Sequence, residues 1–345
     1  MENTSAIAAE HIKADKPFLV DVPVKINIWI RPECQRAQFE VLRQARPSIM
    51  FLISDGGRND KEWEAIRVNR KIFDEEIDWE CTVYRMYEDH NNGLYTMGRK
   101  SRSLIWDNVD RCIFLEDDYV PAVSYFRFCA ELLEKYKDDE RIEMICGHNP
   151  MVTYEDAAPN DYFFSENGWS IWGTASWKRV EMQREYPFDY ADNQYIKRCI
   201  ESNMNEFWYK KVKGYCDGKL VDNHVPGGEY YHAVNSVLYH RLSIMPTRNM
   251  IKNIGYDGAH TSANLAKKKK YFGAQTYEIE FPIKHPKYVI DDKYFGREYD
   301  KLIGHAKKNP VLKFFGRAGH FIKLIFTGKA VGAIKRRLCR SHREL

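Results

Sequence analysis

The first 120 positions alternate between short apolar runs and stretches with helical spacing. Residues 24–32 (VKINIWIRP) read as a buried strand that ends at a proline, and residues 34–45 as a helix. Residues 48–54 form a second apolar run, stopped by Asp55-Gly56-Gly57. Helical spacing over 61–76 precedes a third strand at 81–86. The turn Asn91-Asn92-Gly93-Leu94 then leads into a helix through Trp106. A short run, Arg111-Cys112-Ile113-Phe114-Leu115, is closed by three carboxylates, Glu116-Asp117-Asp118, ahead of a helix predicted at 122–137. Strands alternating with helices predict an α/β domain with a mostly parallel central sheet. In such sheets ligands bind outside the carboxyl ends of the strands, which draws attention to Asp55 and the acidic triplet. After residue 150 the pattern is irregular and aromatic-rich, with a helix predicted at 229–241 and a lysine run at 267–270 that reads as a solvated loop.

Charge divides the chain in two. The 345 residues carry a net charge of +4, from 53 Lys and Arg against 49 Asp and Glu. Residues 301–345 hold 12 of the basic residues and one acidic residue, a net of +11, which leaves −7 for the first 300. Bulk charge therefore argues against nucleic-acid binding by the body, and the tail is a separate physical object. The eight cysteines form no C-x-x-C pair and several lie inside apolar runs, so they read as small core residues. The first 20 residues lack a basic start followed by an apolar stretch, so no signal peptide is expected. No stretch of about 18 uncharged apolar residues occurs, so no membrane span is expected. A reduced, cytosolic setting follows as the expectation. Neither G-x-G-x-x-G nor G-x-x-x-x-G-K-[ST] is present, so the phosphate cradles of dinucleotide oxidoreductases and P-loop NTPases are missing.

Three consecutive carboxylates after an apolar strand raise one another's pKa unless a cation is near. A hard divalent cation with oxygen ligands satisfies them and can bridge the phosphates of a nucleotide. The plainer alternative is an acidic turn in which Asp118 favours the N-terminus of the following helix.

Phe114-Leu115-Glu116-Asp117-Asp118, with Pro121, Tyr125 and Phe126 after it, resembles the D-x-D-type motif of GT-A-fold glycosyltransferases. It is similar to the E-D-D form of animal N-acetylglucosaminyltransferases acting on N-glycans, and to a bacterial group related to family 2 that builds surface polysaccharides. Arg31-Pro32, Ser54-Asp55-Gly56, Asn92-Gly93-Leu94, residues 171–177 (IWGTASW) and residues 253–261 (NIGYDGAHT) match the bacterial group in the same order. The resemblance covers roughly residues 24–290. It implies a GT-A fold, Rossmann-like and mostly parallel. Its layout would be an N-terminal extension (1–23), a nucleotide-sugar half (24–150), an acceptor half (151–300) and a basic amphipathic tail (301–345).

The resemblance also implies roles. Asp118 would bind Mn2+ or Mg2+, with Glu116 and Asp117 towards the ribose and behind the metal. Asp55 would meet the nucleobase beside Arg31, and Arg99 and Arg102 would reach the diphosphate. Helical spacing sets Lys100 on another face from that pair. His260 would reach the metal or diphosphate, and Trp172 would line the sugar site, with Trp177 a second aromatic candidate. Glu229, in the segment Gly228-Glu229-Tyr230-Tyr231-His232, corresponds to the catalytic base, although Gly228 and His232 stand where the family has tryptophans; Asp222 is the fallback. Bland alternatives stand beside each role: a surface cation for Arg31, a first-turn helix acid for Glu229, a structural histidine for His260 and core anchors for the tryptophans.

In the tail, Val311, Phe314, Phe315, Ala318, Phe321, Ile322 and Ile325 follow helical spacing, with Lys313, Arg317 and Lys323 offset. Such a helix suits an anionic membrane surface, where each cation contributes on the order of 1 kcal/mol. A helix docked on the domain is the alternative, and RNA binding by Lys335-Arg336-Arg337 a weaker one. The expectation is a metal-dependent inverting transferase, an enzyme of the hexosyltransferase kind, that moves a sugar from a UDP-sugar to a glycan hydroxyl. A lipid-linked surface-polysaccharide acceptor at the inner face of the cell membrane is expected. The competing expectations are a sugar nucleotidyltransferase and a catalytically silent membrane-surface protein on the same fold.

Overall fold

The computed structural model describes residues 7–166, 172–183, 192–204, 206–216, 228–255 and 274–302. In chain order the strands are β1 (Glu10–Ile12), β2 (Val20–Ile28), β3 (Pro47–Ser54), β4 (Cys81–Tyr87), β5 (Arg111–Leu115) and β6 (Tyr119–Pro121). They continue with β7 (Ile142–Cys146), β8 (Tyr162–Ser165), β9 (Thr174–Trp177), β10 (Leu242–Pro246) and β11 (Ile251–Asn253). The helices are α1 (Pro32–Ala45), α2 (Asp60–Glu75), α3 (Leu94–Asn108), α4 (Ser124–Lys135), α5 (Lys178–Met182), α6 (Gln194–Asn203), α7 (Glu206–Cys216), α8 (Gly228–Tyr239) and α9 (Lys293–Leu302).

Nine strands form one sheet in the order β1-β4-β3-β2-β5-β9-β7-β10-β8. The pairs β4-β3, β3-β2, β2-β5 and β7-β10 are parallel, whereas β1, β9 and β8 run antiparallel to their neighbours. The expected α/β class with a mostly parallel sheet is therefore present. From β2 the chain builds outward through β3 to β4, then returns through α3 to place β5 on the other side of β2. The strand order reverses between β2 and β5, and the crevice there is where a ligand site belongs.

Alternation along the central strands explains the layers. Val22, Val24, Ile26 and Ile28 of β2, with Met50 and Leu52 of β3, are buried on one face among residues of α1, α2 and α4 such as Phe39, Phe73 and Phe126. Phe51, Ile53 and Met86 point to the opposite face, against Met97, Ile105 and Trp106 of α3. Farther along the sheet, Met144, Cys146 and Met245 pack with Ile200, Val212 and Val234 of α6, α7 and α8. Each fully buried side chain of this size contributes about 1.5–3 kcal/mol by leaving water.

Three differences from the sequence expectation bear on the site. The run at 24–32 is a strand only to Ile28, because α1 already begins at Pro32 and residues 29–31 make the turn between them. The antiparallel β9, four residues long, is inserted between β5 and β7. The three-residue strands β6 and β11 form a separate antiparallel pair that aligns Asn253 with Tyr119. Among the described residues Cys34, Cys81, Cys112, Cys129 and Cys146 are buried free thiols, as their apolar surroundings suggested. Residues 1–299 form one compact unit and residues 300–345 a second, of which 300–302 are described.

Candidate functional site

The acidic triplet leaves β5 at the rim of the sheet, beside the turn that follows β2. Arg31 in that turn donates from Nη1 to Oδ2 of Asp118 at 2.7 Å and stands 3.5 Å from Asp117. Glu116 is held separately. Lys25 and Asn27, successive residues on one face of β2, reach it with the Lys25 ammonium at 3.6 Å and a hydrogen bond from the Asn27 amide. Gln38 of α1, fully buried, donates to the carbonyls of Glu116 and Tyr119 at 2.7 and 2.8 Å and so fixes the backbone of the triplet.

These partners leave the triplet short of positive charge. Asp117 is 9% exposed, and its Oδ2 is buried without a hydrogen bond. Burial, only partly offset by Arg31, pushes its carboxyl up to about 7, with Asp118 and Glu116 adding to the rise. Asp118 is raised from its ordinary value, mainly by burial and against the pull of Arg31. A carboxylate with an orphaned buried oxygen beside a second carboxylate supplies hard oxygen donors, and a divalent cation with water or phosphate oxygens completes such a set. Among the described residues no group of three or more His, Cys, Asp and Glu side chains is already gathered as a metal-holding cluster.

The pairing of β6 with β11 closes the site from the other side. It carries the chain to Ile254, whose N–H donates to the Asp118 carbonyl at 2.9 Å, and to Gly255. A Cβ on Gly255 would lie 2.0 Å from Asp118 Oδ2 and 2.9 Å from Arg31 Nη1, so only glycine admits this approach. The alternative role for Asp118, favouring a helix N-terminus, is not the one it takes. The first amides of the α4 region, Val123 and Ser124, donate to the Glu278 carboxylate at 3.0 and 2.7 Å, and β6 separates Asp118 from the helix.

Trp172 reaches the same rim because β9 runs antiparallel, so its first residues lie beside the last of β5 and β7. Thr174 aligns with both Phe114 and Cys146. The Trp172 ring centroid is 6.4 Å from that of Tyr119 and 4.6 Å from that of His148. His148, two residues beyond β7, is 1% exposed, and burial holds its imidazole down to about 3. Trp177 is a core anchor: it is 3% exposed and donates from Nε1 to the Leu133 carbonyl at 2.9 Å.

Asp55 sits after β3 as expected, yet its carboxylate is occupied within the chain. Oδ1 accepts from the amides of Gly56 and Asn92 at 2.9 and 2.8 Å and from the Asn92 side chain at 3.3 Å. Oδ2 accepts from the Gly93 amide at 2.8 Å and from Asn91 at 3.2 Å. Asp55 thus fastens the turn that starts α3. Arg102 is paired with Glu181 at 2.9 Å, and Lys100 with Glu88 at 2.9 Å and Asn92 at 3.3 Å. Arg99 is exposed on α3. Glu229 occupies the second position of α8, and its side chain lies outside the described set. His260, Asp222, the lysine run and the basic tail beyond residue 302 also lie outside the described residues.

Sequence reasoning marked Gly255, in the matched segment 253–261, as a site of close backbone approach without naming Asp118 and Arg31 as the groups approached. It missed Lys25, Asn27, Gln38 and His148. The first two were visible as polar interruptions of the apolar VKINI run. The others depend on contacts between segments far apart in the chain.

No family model matches the chain, and no curated protein matches it. Solved structures that it resembles include an apo mouse xyloside xylosyltransferase 1, at 12% identity over 65% of this chain and 84% of that one, with a TM-score of 0.35. A second is the mannosyltransferase PcManGT from Pyrobaculum calidifontis in complex with GDP-Man and Mn2+, at 9% identity over 66% and 73%, with a TM-score of 0.35. A third is a cytidylyltransferase from Leptospira borgpetersenii, at 10% identity over 59% and 98%, with a TM-score of 0.25. Among the described residues no helix is long and apolar enough to cross a membrane.

Proposed function

We propose that the protein is a metal-dependent inverting glycosyltransferase that moves a sugar from a nucleotide-diphosphate donor, a UDP-sugar, to a glycan hydroxyl. The reading is carried by one observation. At the point where strand order reverses, the buried Asp117, with one oxygen lacking a hydrogen bond, and the partly buried Asp118 both face Arg31, under a glycine that leaves room for nothing larger. A Mn2+ or Mg2+ ion held by Asp118 and Asp117 would neutralise the diphosphate as it departs.

The chain's own residues would do the rest. Arg31 offers the diphosphate a fork of N–H donors. Lys25 and Asn27 keep Glu116 fixed at the ribose side, and the turn fastened by Asp55 sets the start of α3 beside the nucleotide. Trp172 presents an aromatic face for a sugar ring. Glu229, at the start of α8, takes the proton from the acceptor hydroxyl as it attacks the anomeric carbon opposite the leaving nucleotide. In this reading residues 24–150 serve the nucleotide, residues 151–300 the acceptor, and the basic residues 301–345 hold the enzyme against an anionic membrane carrying a lipid-linked acceptor.

The test is release of nucleoside diphosphate from a panel of nucleotide sugars, with Mn2+ or chelator, in the presence of membrane glycolipid extract. Manganese-dependent release from one donor, abolished by Glu229→Gln and Asp118→Asn, is expected. Equal release by both variants would refute the assignment.

A further inference from the structure

Arg31 stands where a cation belongs. Among the described residues its guanidinium is the positive group paired with both Asp117 and Asp118, at 3.5 and 2.7 Å, while Lys25 and Asn27 are engaged by Glu116. Gly255 packs against Asp118 and Arg31 together, so the pair is enclosed from the β11 side. The arginine side chain is nevertheless 28% exposed, against 14% for Asp118. It has a way out to solvent and the carboxylate has less. A divalent cation approaching Asp118 Oδ2 therefore meets an existing positive charge at hydrogen-bond distance. Two like charges cannot share that oxygen without a large repulsion in a partly buried site.

Resting on the metal- and diphosphate-binding reading above, we propose that Arg31 is an internal counter-cation that occupies Asp118 in the nucleotide-free protein. The arriving diphosphate draws the guanidinium away and opens that carboxylate to the divalent cation. The charges then balance without any covalent step: one guanidinium moves from carboxylate to phosphate, and a divalent cation takes its place. Metal and nucleotide binding become linked, each strengthening the other by the same factor. Arg31 is in this respect a positioning residue as much as a phosphate contact.

The experiment measures Mn2+ binding by the electron paramagnetic resonance signal of the free ion, with and without UDP. It compares the wild type, Arg31→Gln and Arg31→Lys. Thermal midpoints of all three are taken in chelator and in Mn2+. Arg31→Gln is expected to bind Mn2+ alone at least tenfold more tightly than the wild type. It should also melt lower in chelator and regain stability when Mn2+ is added. Arg31→Lys, which keeps the charge, should bind Mn2+ alone about as weakly as the wild type. The wild type gives an arm that needs no variant: UDP should tighten Mn2+ at least tenfold. If Mn2+ binds the wild type equally well with and without UDP, or if Arg31→Gln gains no affinity, the counter-cation role is overturned and the metal site stands. If no protein binds Mn2+ under any condition, the site reading itself falls, and the counter-cation role with it.

Discussion

The guanidinium of Arg31 lies 2.7 Å from Oδ2 of Asp118, a residue 87 positions later in the chain. That contact joins the turn after β2 to the rim of β5 and marks the reversal point of the sheet. Its surroundings give it meaning, because the same arginine also faces Asp117, whose second oxygen has no hydrogen bond. An ion pair built for stability alone would satisfy both carboxylates. This one leaves negative charge over.

That surplus has a pH signature. Asp117 is pushed up to about 7 in the folded protein, whereas the ordinary value is 3.8. The folded state therefore holds a proton that the unfolded state has already lost. The stabilisation is fully present below about pH 4 and is lost as pH rises through about 7. In chelator, Asp117→Asn should remove this slope between pH 4 and 7 and melt above the wild type at pH 8. Thermal midpoints of the two proteins across that range check it, and identical slopes would refute it.

Gly255→Ala tests the enclosure. The new methyl group would overlap Asp118 Oδ2 and crowd Arg31, forcing the carboxylate to turn. Overpacking of this kind costs about 1–3 kcal/mol, and Mn2+-dependent nucleotide binding should fall with it. Denaturant unfolding and nucleotide titration measure the two effects.

Asp55 should behave as a fastener. Asp55→Ala deletes a carboxylate that accepts from Gly56, Asn91, Asn92 and Gly93. Hydrogen bonds to a charged group contribute about 1.5–3 kcal/mol each net of water, and these lie at a half-exposed turn, so a loss of at least about 2 kcal/mol is expected. Hydrogen exchange should accelerate at residues 91–95. Unchanged exchange there, with a loss of nucleotide affinity, would instead favour direct contact with the base.

His148 gives the opposite pH sign. Its folded value is held down to about 3 by burial, against an ordinary 6.5. The folded state thus binds fewer protons than the unfolded state between those values. Stability is present above about 6.5 and declines as pH falls towards 3. His148→Gln should flatten the acid limb of the stability curve below pH 6, measured by urea unfolding.

Much of the site's framework from β3 to β5 was legible in the sequence. Local periodicity sets β3, α2, β4, α3 and β5 within one or two residues, and a carboxylate run after an apolar strand announces itself. What was not legible rests on pairings with no local signal. Gly255 reaches Asp118 only because two three-residue strands, β6 and β11, meet across about 130 residues of chain. Trp172 reaches His148 only because four residues of β9 run against the direction of β5 and β7. Asp55 was correctly set at the end of β3. Its hydrogen-bond partners follow from how the turn at 90–93 folds back, which composition does not encode.

The central claim, that the acidic triplet and Arg31 form a cation-dependent diphosphate site, is tested most directly by calorimetric titration of UDP. The titration is made into the wild type and Asp118→Asn, each with Mn2+ and with chelator. Binding by the wild type in Mn2+ that falls at least tenfold in chelator, and equally in Asp118→Asn, is the predicted result. UDP affinity indifferent to both the metal and Asp118 would contradict it.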